Sequence, residues 1–343
     1  MKQFAHQAAQ IDGRALADYL AATLADFRGP VAVEKTATGQ SNPTFLLSSP
    51  SGRYVLRKKP PGQLLKSAHA VDREYRVMRA LGKSDVPVPR MLLLCEDESI
   101  LGTAFFVMEF VDGIIFWDPA LPELTNAQRS RVYDEQVRAL AALHSIDPDK
   151  VGLADFGKAG SYFARQRDRW TKQYRASETE RIEEMEMLIA WLEANEPPDD
   201  GRVSLVHGDY RLDNMIFARD ASRLLAVIDW ELSTLGHPFS DLAYQCMQWR
   251  LPNRDAMRGL ADVDRASLGI PTEEQYIAKY CARMGIDGIP DWKFCLAFSF
   301  FRLAAIVQGV KRRGLEGNAS NPERARKSGE MVPVLAAMGA SVI

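Results

Sequence analysis

Two short stretches carry the residues best suited to chemistry: LVHGDYRLDN over 205–214 and LLAVIDWE over 224–231. Asp209 follows an apolar, strand-like run, so its carboxylate would stand at a strand exit. Asn214 lies five residues further on, close enough to curl back within the same loop, and Asp229 closes the next apolar run. Moving a phosphoryl group from a nucleotide asks for few reactive groups. One carboxylate must accept or orient the proton of the attacking hydroxyl, and hard oxygen ligands must hold Mg²⁺ against the phosphates. On that chemistry Asp209 is the candidate catalytic residue, Asn214 and Asp229 are candidate metal ligands, and His207 orients the loop backbone without transferring a proton. The plainer alternative is a buried turn satisfied by His207 and Asp209 and capped by Asn214, which leaves Asp229 unexplained. Asp213, next to Asn214, is read as solvated or loop-bracing.

The elements that would position these groups change character along the chain. Residues 11–27 place Leu16, Leu20, Leu24 and Phe27 on one helical stripe, with Asp12 as a cap. VAVEKTATG, PTFLLSS and RYVLRK are short alternating or β-branched runs broken by Gly, Pro and Ser, as antiparallel strands are. A helix is expected over 68–82, stopped by Gly82. Two more strands come next, MLLLCE and TAFFVMEFV, the second continuously apolar and therefore central. From about residue 113 helical spacing dominates: 125–144, 161–176, 178–195, 238–250, 272–284, 291–313 and 322–338, interrupted by VSLVHG, NMIFA and LLAVIDW. No repeat of solenoid period is present.

Bulk properties exclude several classes. Across 343 residues, 43 Lys+Arg against 45 Asp+Glu leave a formal charge of −2, which argues against an overall basic nucleic-acid binder. A 46% hydrophobic, 26% charged composition is that of a folded globule. Cys95, Cys246, Cys281 and Cys295 form no CxxC pair, which fits a reducing compartment better than a zinc or disulfide framework. The apolar run Phe294–Val310 contains Arg302 and is short for a membrane span, so it reads as a buried helix. With no secretory pattern at the N-terminus, the expectation is a cytoplasmic protein that binds neither membrane nor nucleic acid.

Together these stretches resemble the aminoglycoside phosphotransferase and choline kinase branch of the protein-kinase-like fold. HGDYRLDN is similar to its catalytic loop, IDWE to its metal-binding step, and GHPFSDLAY (236–244) to the segment downstream of that step, over about residues 30–340. The resemblance implies an α+β, bilobed fold: a β-rich nucleotide-binding lobe with one helix over 29–112 and a larger, mostly helical lobe over 113–343, preceded by the N-terminal helix read from the residues, over 1–28. It implies ATP between the lobes with Mg²⁺ as cofactor, and a supporting role for Asp241 in bracing the catalytic loop. Ser41, in the GQSNPTF loop, would meet a phosphate, although only one glycine stands where protein kinases have three. Arg57 falls at the place of the kinase lysine, its fork able to bind phosphate oxygens, with Lys59 on the same strand face as the rival. Glu74 would pair with Arg57. The Glu109 carbonyl and Val111 amide would grip adenine, in a stretch that is otherwise core-like.

Acceptor recognition is less defined. Antibiotic-modifying members use acidic residues near the C-terminus, whereas here Lys311, Arg312, Arg313, Arg324, Arg326 and Lys327 are basic: either solvated helix ends or a match for an anionic acceptor. GQSNPTF, RKKPPGQLLKSAHAVDREYRV, YFARQRDRWTKQY and DWELSTLGHPFSDLAY are most similar to the kinase-like domain fused to acyl-CoA dehydrogenases. That implies a small hydroxylated substrate, a hydroxyacyl compound or its CoA ester, with Trp170 either lining the acceptor site or buried for structure. The rivals are an aminoglycoside or amino-alcohol phosphotransferase, a protein kinase, and a nucleotide-binding regulator without catalysis. Against a protein kinase, no A-P-E is present and Gly208 replaces the Arg of H-R-D. The oligomeric state and the choice of ATP over GTP are left open.

Overall fold

Asp12 starts the first helix as the sequence predicts, its carboxylate accepting from the Arg14 and Ala15 amides at 2.9 and 3.1 Å. This helix, α1 (Gly13–Thr23), opens a computed structural model that describes residues 11–36, 42–60, 70–254, 257–317 and 321–343. Five strands come after it: β1 (Ala32–Lys35), β2 (Thr44–Ser49), β3 (Gly52–Lys58), β4 (Met91–Cys95) and β5 (Phe105–Glu109). They form one antiparallel sheet in the order β1-β2-β3-β5-β4, so the continuously apolar β5 is indeed internal. Between β3 and β4 lies α2 (Val71–Leu81), and α3 (Glu98–Leu101) connects β4 to β5. Gly82 ends α2 with φ −61°, in right-handed rather than left-handed geometry.

Period-two alternation assigns the two sheet faces. Phe45 and Leu47 of β2, Leu56 of β3, and Phe105 and Val107 of β5 pack with Leu16 and Leu20 of α1 and with Phe27 in one buried cluster. Leu16, Leu20, Leu47 and Leu56 are each 0% exposed, and burial of that kind contributes roughly 1.5–3 kcal/mol per side chain. Phe106, one residue out of phase, turns to the other face and meets Tyr75 of α2 at a ring-centroid distance of 6.3 Å. Both faces of β5 are covered, which is why its sequence shows no polar alternation. Residues up to Lys83, Pro87–Asp112 and Ile228–Glu231 make up this first unit, so α1 belongs with the sheet and four residues from far down the chain join it.

The second unit comprises Ser84–Val86, Gly113–Val227 and Leu232–Ile343. Its helices are α4 (Asn126–His144), α5 (Tyr162–Ser177), α6 (Glu183–Ala194), α7 (Phe239–Cys246), α8 (Arg265–Leu268), α9 (Glu273–Met284), α10 (Trp292–Leu315), α11 (Pro322–Gly329) and α12 (Met331–Val342). Capping boxes start α4 (Thr125 with Gln128) and α9 (Thr272 with Gln275). α10 extends beyond the expected apolar run and is long and apolar enough to cross a membrane, yet it is largely buried, packing against α5, α7, α11 and α12. The helix expected over 322–338 is two, broken at Glu330. Pro333 has no N–H to donate to Gly329, so a continuous helix would lose that bond; in the first turn of α12 the missing donor costs nothing. Four short strands, paired β6 (Ser204–Val206) with β9 (Thr234–Gly236) and β7 (Met215–Phe217) with β8 (Leu224–Val227), carry the loops of chemical interest. β9 and the hairpin β10 (Asn253–Arg254) and β11 (Met257–Arg258) are too short to show a period in sequence. The four cysteines are free and buried.

Candidate active site

In the first unit, β3 turns Leu56 toward α1 and Arg57 toward α2. Arg57 is 7% exposed, and its Nη1 donates to Glu74 Oε1 at 2.8 Å. Its Nη2 donates to Asp229 Oδ1 at 2.7 Å, with Glu231 Oε2 at 3.4 Å. The predicted Arg57–Glu74 pair is therefore present. Glu231, which the sequence offered only as part of IDWE, joins it. Burial works against charge on Arg57, but the three carboxylates outweigh it and raise the guanidinium further above its ordinary range. Burial pushes the Glu74 carboxyl upward, against the pull of Arg57. Asp229 holds φ +67°, left-handed backbone that a non-glycine residue adopts at a cost of order 1 kcal/mol, and this conformation aims its carboxylate at Arg57.

Lys58 turns to the opposite face and donates to the Leu101 carbonyl at 2.8 Å. Lys59 lies past the end of β3, its amide on the Ala104 carbonyl at 3.0 Å. The Glu109 amide donates to the Arg90 carbonyl at 3.0 Å, and Glu109 Oε1 accepts from the Arg90 amide at 2.9 Å. Val111 lies just past the end of β5 and is half-buried. Ser41 lies outside the described residues.

In the second unit, residues 207–214 form the loop from β6 to β7. Asp241 in α7, 0% exposed, accepts from the His207 amide at 2.6 Å and the Gly208 amide at 2.9 Å. His144 Nε2 stands 3.5 Å from Asp241 Oδ2, and its Nδ1 shares a 2.7 Å hydrogen bond with the Tyr280 hydroxyl. His207 is itself 0% exposed, and its Nδ1 accepts from the Asp209 amide at 3.2 Å. With that nitrogen used as an acceptor, His207 orients backbone, as the sequence predicts. Gly208 holds φ +84°, and a Cβ there would meet the Leu232 carbonyl oxygen at 2.6 Å, so arginine cannot take this place without rebuilding the turn.

Asn214 Nδ2 donates to both Asp209 Oδ2 and the Asp209 carbonyl, each at 2.9 Å. Arg211 Nε is 3.5 Å from Asp209 Oδ2, and Arg211 Nη2 pairs with Asp213 at 2.8 Å, which gives Asp213 the loop-bracing role. Burial disfavours charge on Asp209, yet Arg211 and hydrogen bonds from Tyr244 and Asn214 outweigh it and hold the carboxylate below its ordinary range. Asp241 is held low as well: burial opposes, while His144 and the Gly208 amide prevail. Trp170 is 8% exposed, with Nε1 on Gln166 Oε1 at 3.1 Å. Lys311 pairs with Glu180 at 2.5 Å and Arg312 with Glu316 at 2.6 Å, so those two C-terminal cations are already matched.

Among the described residues no group of three or more His, Cys, Asp or Glu side chains forms a metal site. Mg²⁺ uses one or two protein oxygens and takes its other ligands from phosphates and water. Because the Asn214 amide nitrogen is engaged with Asp209, its Oδ1 points elsewhere as an oxygen donor, and Asp229 keeps Oδ2 beyond the oxygen that Arg57 occupies. The donor set fits.

A carboxylate held ionised beside an asparagine, backed by a buried aspartate, on a kinase-like fold defines a phosphotransferase class. The model of the phosphotransferase enzyme family matches residues 32–276, and the chain belongs to that family. It is 50% identical over 309 residues to acyl-CoA dehydrogenase family member 10 of Mus musculus, covering 90% of this chain and 29% of that protein. It is 43% identical over 319 residues to acyl-CoA dehydrogenase family member 11 of Homo sapiens, covering 92% and 41%. The chain thus spans well under half of these curated relatives. Among solved structures, a Ralstonia eutropha protein provisionally called an aminoglycoside phosphotransferase superposes with TM-score 0.88 at 47% identity, over 97% of this chain and 98% of that one. A spectinomycin phosphotransferase solved with ADP and spectinomycin superposes with TM-score 0.65 at 14% identity, over 97% and 99%, a likeness of fold.

Proposed function

We propose that this protein is an ATP- and Mg²⁺-dependent small-molecule kinase that transfers the γ-phosphoryl group to a hydroxyl of a hydroxyacyl compound or its CoA ester. The observation that carries the reading is Asp209: a carboxylate kept ionised and held by Asn214 at 2.9 Å, just past the two loop amides that Asp241 clamps. Asp209 orients the acceptor hydroxyl and receives its proton. Because phosphoryl transfer passes through a loose transition state, most of that service is positioning. Asn214 and Asp229 are the residues that would hold the metal, which, when bound, offsets the charge of the phosphate oxygens. Arg57, oriented by Glu74, offers a guanidinium to phosphate oxygens, and Glu109 and Val111 offer backbone groups to the adenine.

The acyl acceptor is supported by the relatives, whose longer chains carry the acyl-CoA dehydrogenase name, and by the C-terminal cations other than Lys311 and Arg312, namely Arg313, Arg324, Arg326 and Lys327. A screen of ADP release over hydroxy acids, their CoA esters, amino-alcohols and aminoglycosides tests it, with Asp209→Ala alongside. The expected result is turnover of a hydroxyacyl compound, and in Asp209→Ala a loss of about 10³-fold or more with nucleotide binding kept. Turnover of aminoglycosides alone would overturn the acceptor, full activity of Asp209→Ala the base, and firm nucleotide binding without turnover of any acceptor would favour the regulator.

A further inference from the structure

Arg302 interrupts the apolar run of α10, and the structure gives it an unusual setting. It is 4% exposed, and its Nη2 donates to the Gly208 carbonyl at 2.6 Å. Its guanidinium carbon lies 5.8 Å from the centroid of the Trp170 ring and 5.5 Å from that of Tyr244. Among the described residues its Nε has no hydrogen-bond partner, and no carboxylate pairs with it. A buried cation is expensive unless something offsets it, and a carbonyl dipole with two ring faces is a partial offset. On the other side of Gly208 is Asp241, 0% exposed, whose Oδ1 accepts from the amide of that same residue at 2.9 Å.

One glycine therefore has its N–H on a buried carboxylate and its C=O on a buried guanidinium. The two charges do not touch; they grip opposite ends of the residue that precedes Asp209. We propose that Arg302 is a positioning residue for Asp209, forming with Asp241 a split ion pair across Gly208 that fixes the catalytic loop. This role rests on the kinase reading only in that Asp209 is the group being positioned. The clamp itself is a property of the fold. Gly208 is the point at which a clamp is needed, since glycine takes the left-handed turn without strain but lends it no stiffness.

The test uses the full chain with Arg302→Met, Arg302→Gln, Arg302→Lys, Asp241→Asn and the double variant Arg302→Met/Asp241→Asn. Two readouts are taken: the folding equilibrium from urea titration, and steady-state ADP release. In the folding cycle, losses in the single variants should exceed that of the double by at least about tenfold when multiplied, because each single leaves one buried charge without its counterpart. In kinetics, Arg302→Met should lower kcat about 10- to 100-fold with the KM for ATP within about twofold, and Arg302→Lys should recover part of it. Multiplicative losses in the folding cycle would overturn the split pair. Unchanged kcat, or a raised KM at constant kcat, would overturn the positioning role. If Arg302→Met does not fold, Arg302→Gln replaces it in both readouts, as a neutral donor of similar reach. Should wild type turn over no acceptor, the kinase reading fails while the folding cycle still decides the clamp.

Discussion

Replacing Gly208 by alanine adds one methyl group, and its effect can be worked out from two separate sources. The first is backbone: at φ +84° an L-residue pays about 1–2 kcal/mol. The second is contact. The new Cβ would stand 2.6 Å from the Leu232 carbonyl oxygen and 3.0 Å from Leu232 Cβ, whereas ordinary contact begins at 3.4 Å. The turn must therefore move by about 0.8 Å (3.4 less 2.6) or Leu232 must give way. Gly152 provides the control, because it holds φ +71° with nothing within 4 Å of a built Cβ. Gly152→Ala should cost about 1 kcal/mol, and Gly208→Ala about 3 kcal/mol by urea denaturation, the difference being the contact with Leu232. A shift approaching 1 Å in the residue before Asp209 should also lower kcat by about 10²-fold, with Gly152→Ala unaffected. Equal stability losses in the two variants would show that Leu232 yields freely, and a wild-type kcat in Gly208→Ala would remove the loop geometry from the catalytic account.

The buried charges give two further expected outcomes. Arg57→Met leaves Glu74 buried without its cation and should cost about 3–5 kcal/mol in urea denaturation, most of it recovered in Arg57→Met/Glu74→Leu; a loss below about 1 kcal/mol in the single variant would mean that Glu74 is already neutral in the fold. Asp241 titrates below its ordinary range in the folded protein, so it contributes stability above its unfolded pKa and loses it as pH falls through the lower, folded value. Stability profiles of wild type and Asp241→Asn should therefore converge below about pH 4, and a constant gap across that range would refute the assignment.

The sequence made legible whatever repeats or is spaced. The α1 stripe and its Asp12 cap, the β2–β3 and β4–β5 runs, and the helices expected over 125–144 and 272–284 announced themselves by period. The loop residues Asp209 and Asn214 were singled out because phosphoryl chemistry restricts both residue types and spacing, and Asp241 only through the resemblance of GHPFSDLAY to the segment downstream of the metal-binding step. Arg302 and His144 were not: Arg302 reaches the loop, and His144 reaches Asp241, from a helix distant in sequence, and nothing local marks either destination. One sign was available for Arg302: a lone charge within an apolar helix must be offset somewhere in the core. The break at Glu330 was hidden by Pro333, which reads as an ordinary first-turn proline only once the start of α12 is known.

Residues 228–231 fold with the sheet although more than a hundred residues separate them from Asp112. During synthesis the first 112 residues can emerge and pair their strands, but Arg57 gains Asp229 and Glu231 only after the chain has grown past position 231. A nascent chain arrested before that point, or a fragment cut at 112, would carry its guanidinium with Glu74 as its sole acid among these three. The last four residues to join the smaller unit thus bring two of the three acids that face Arg57, so its charge balance waits on translation of about half of the larger unit.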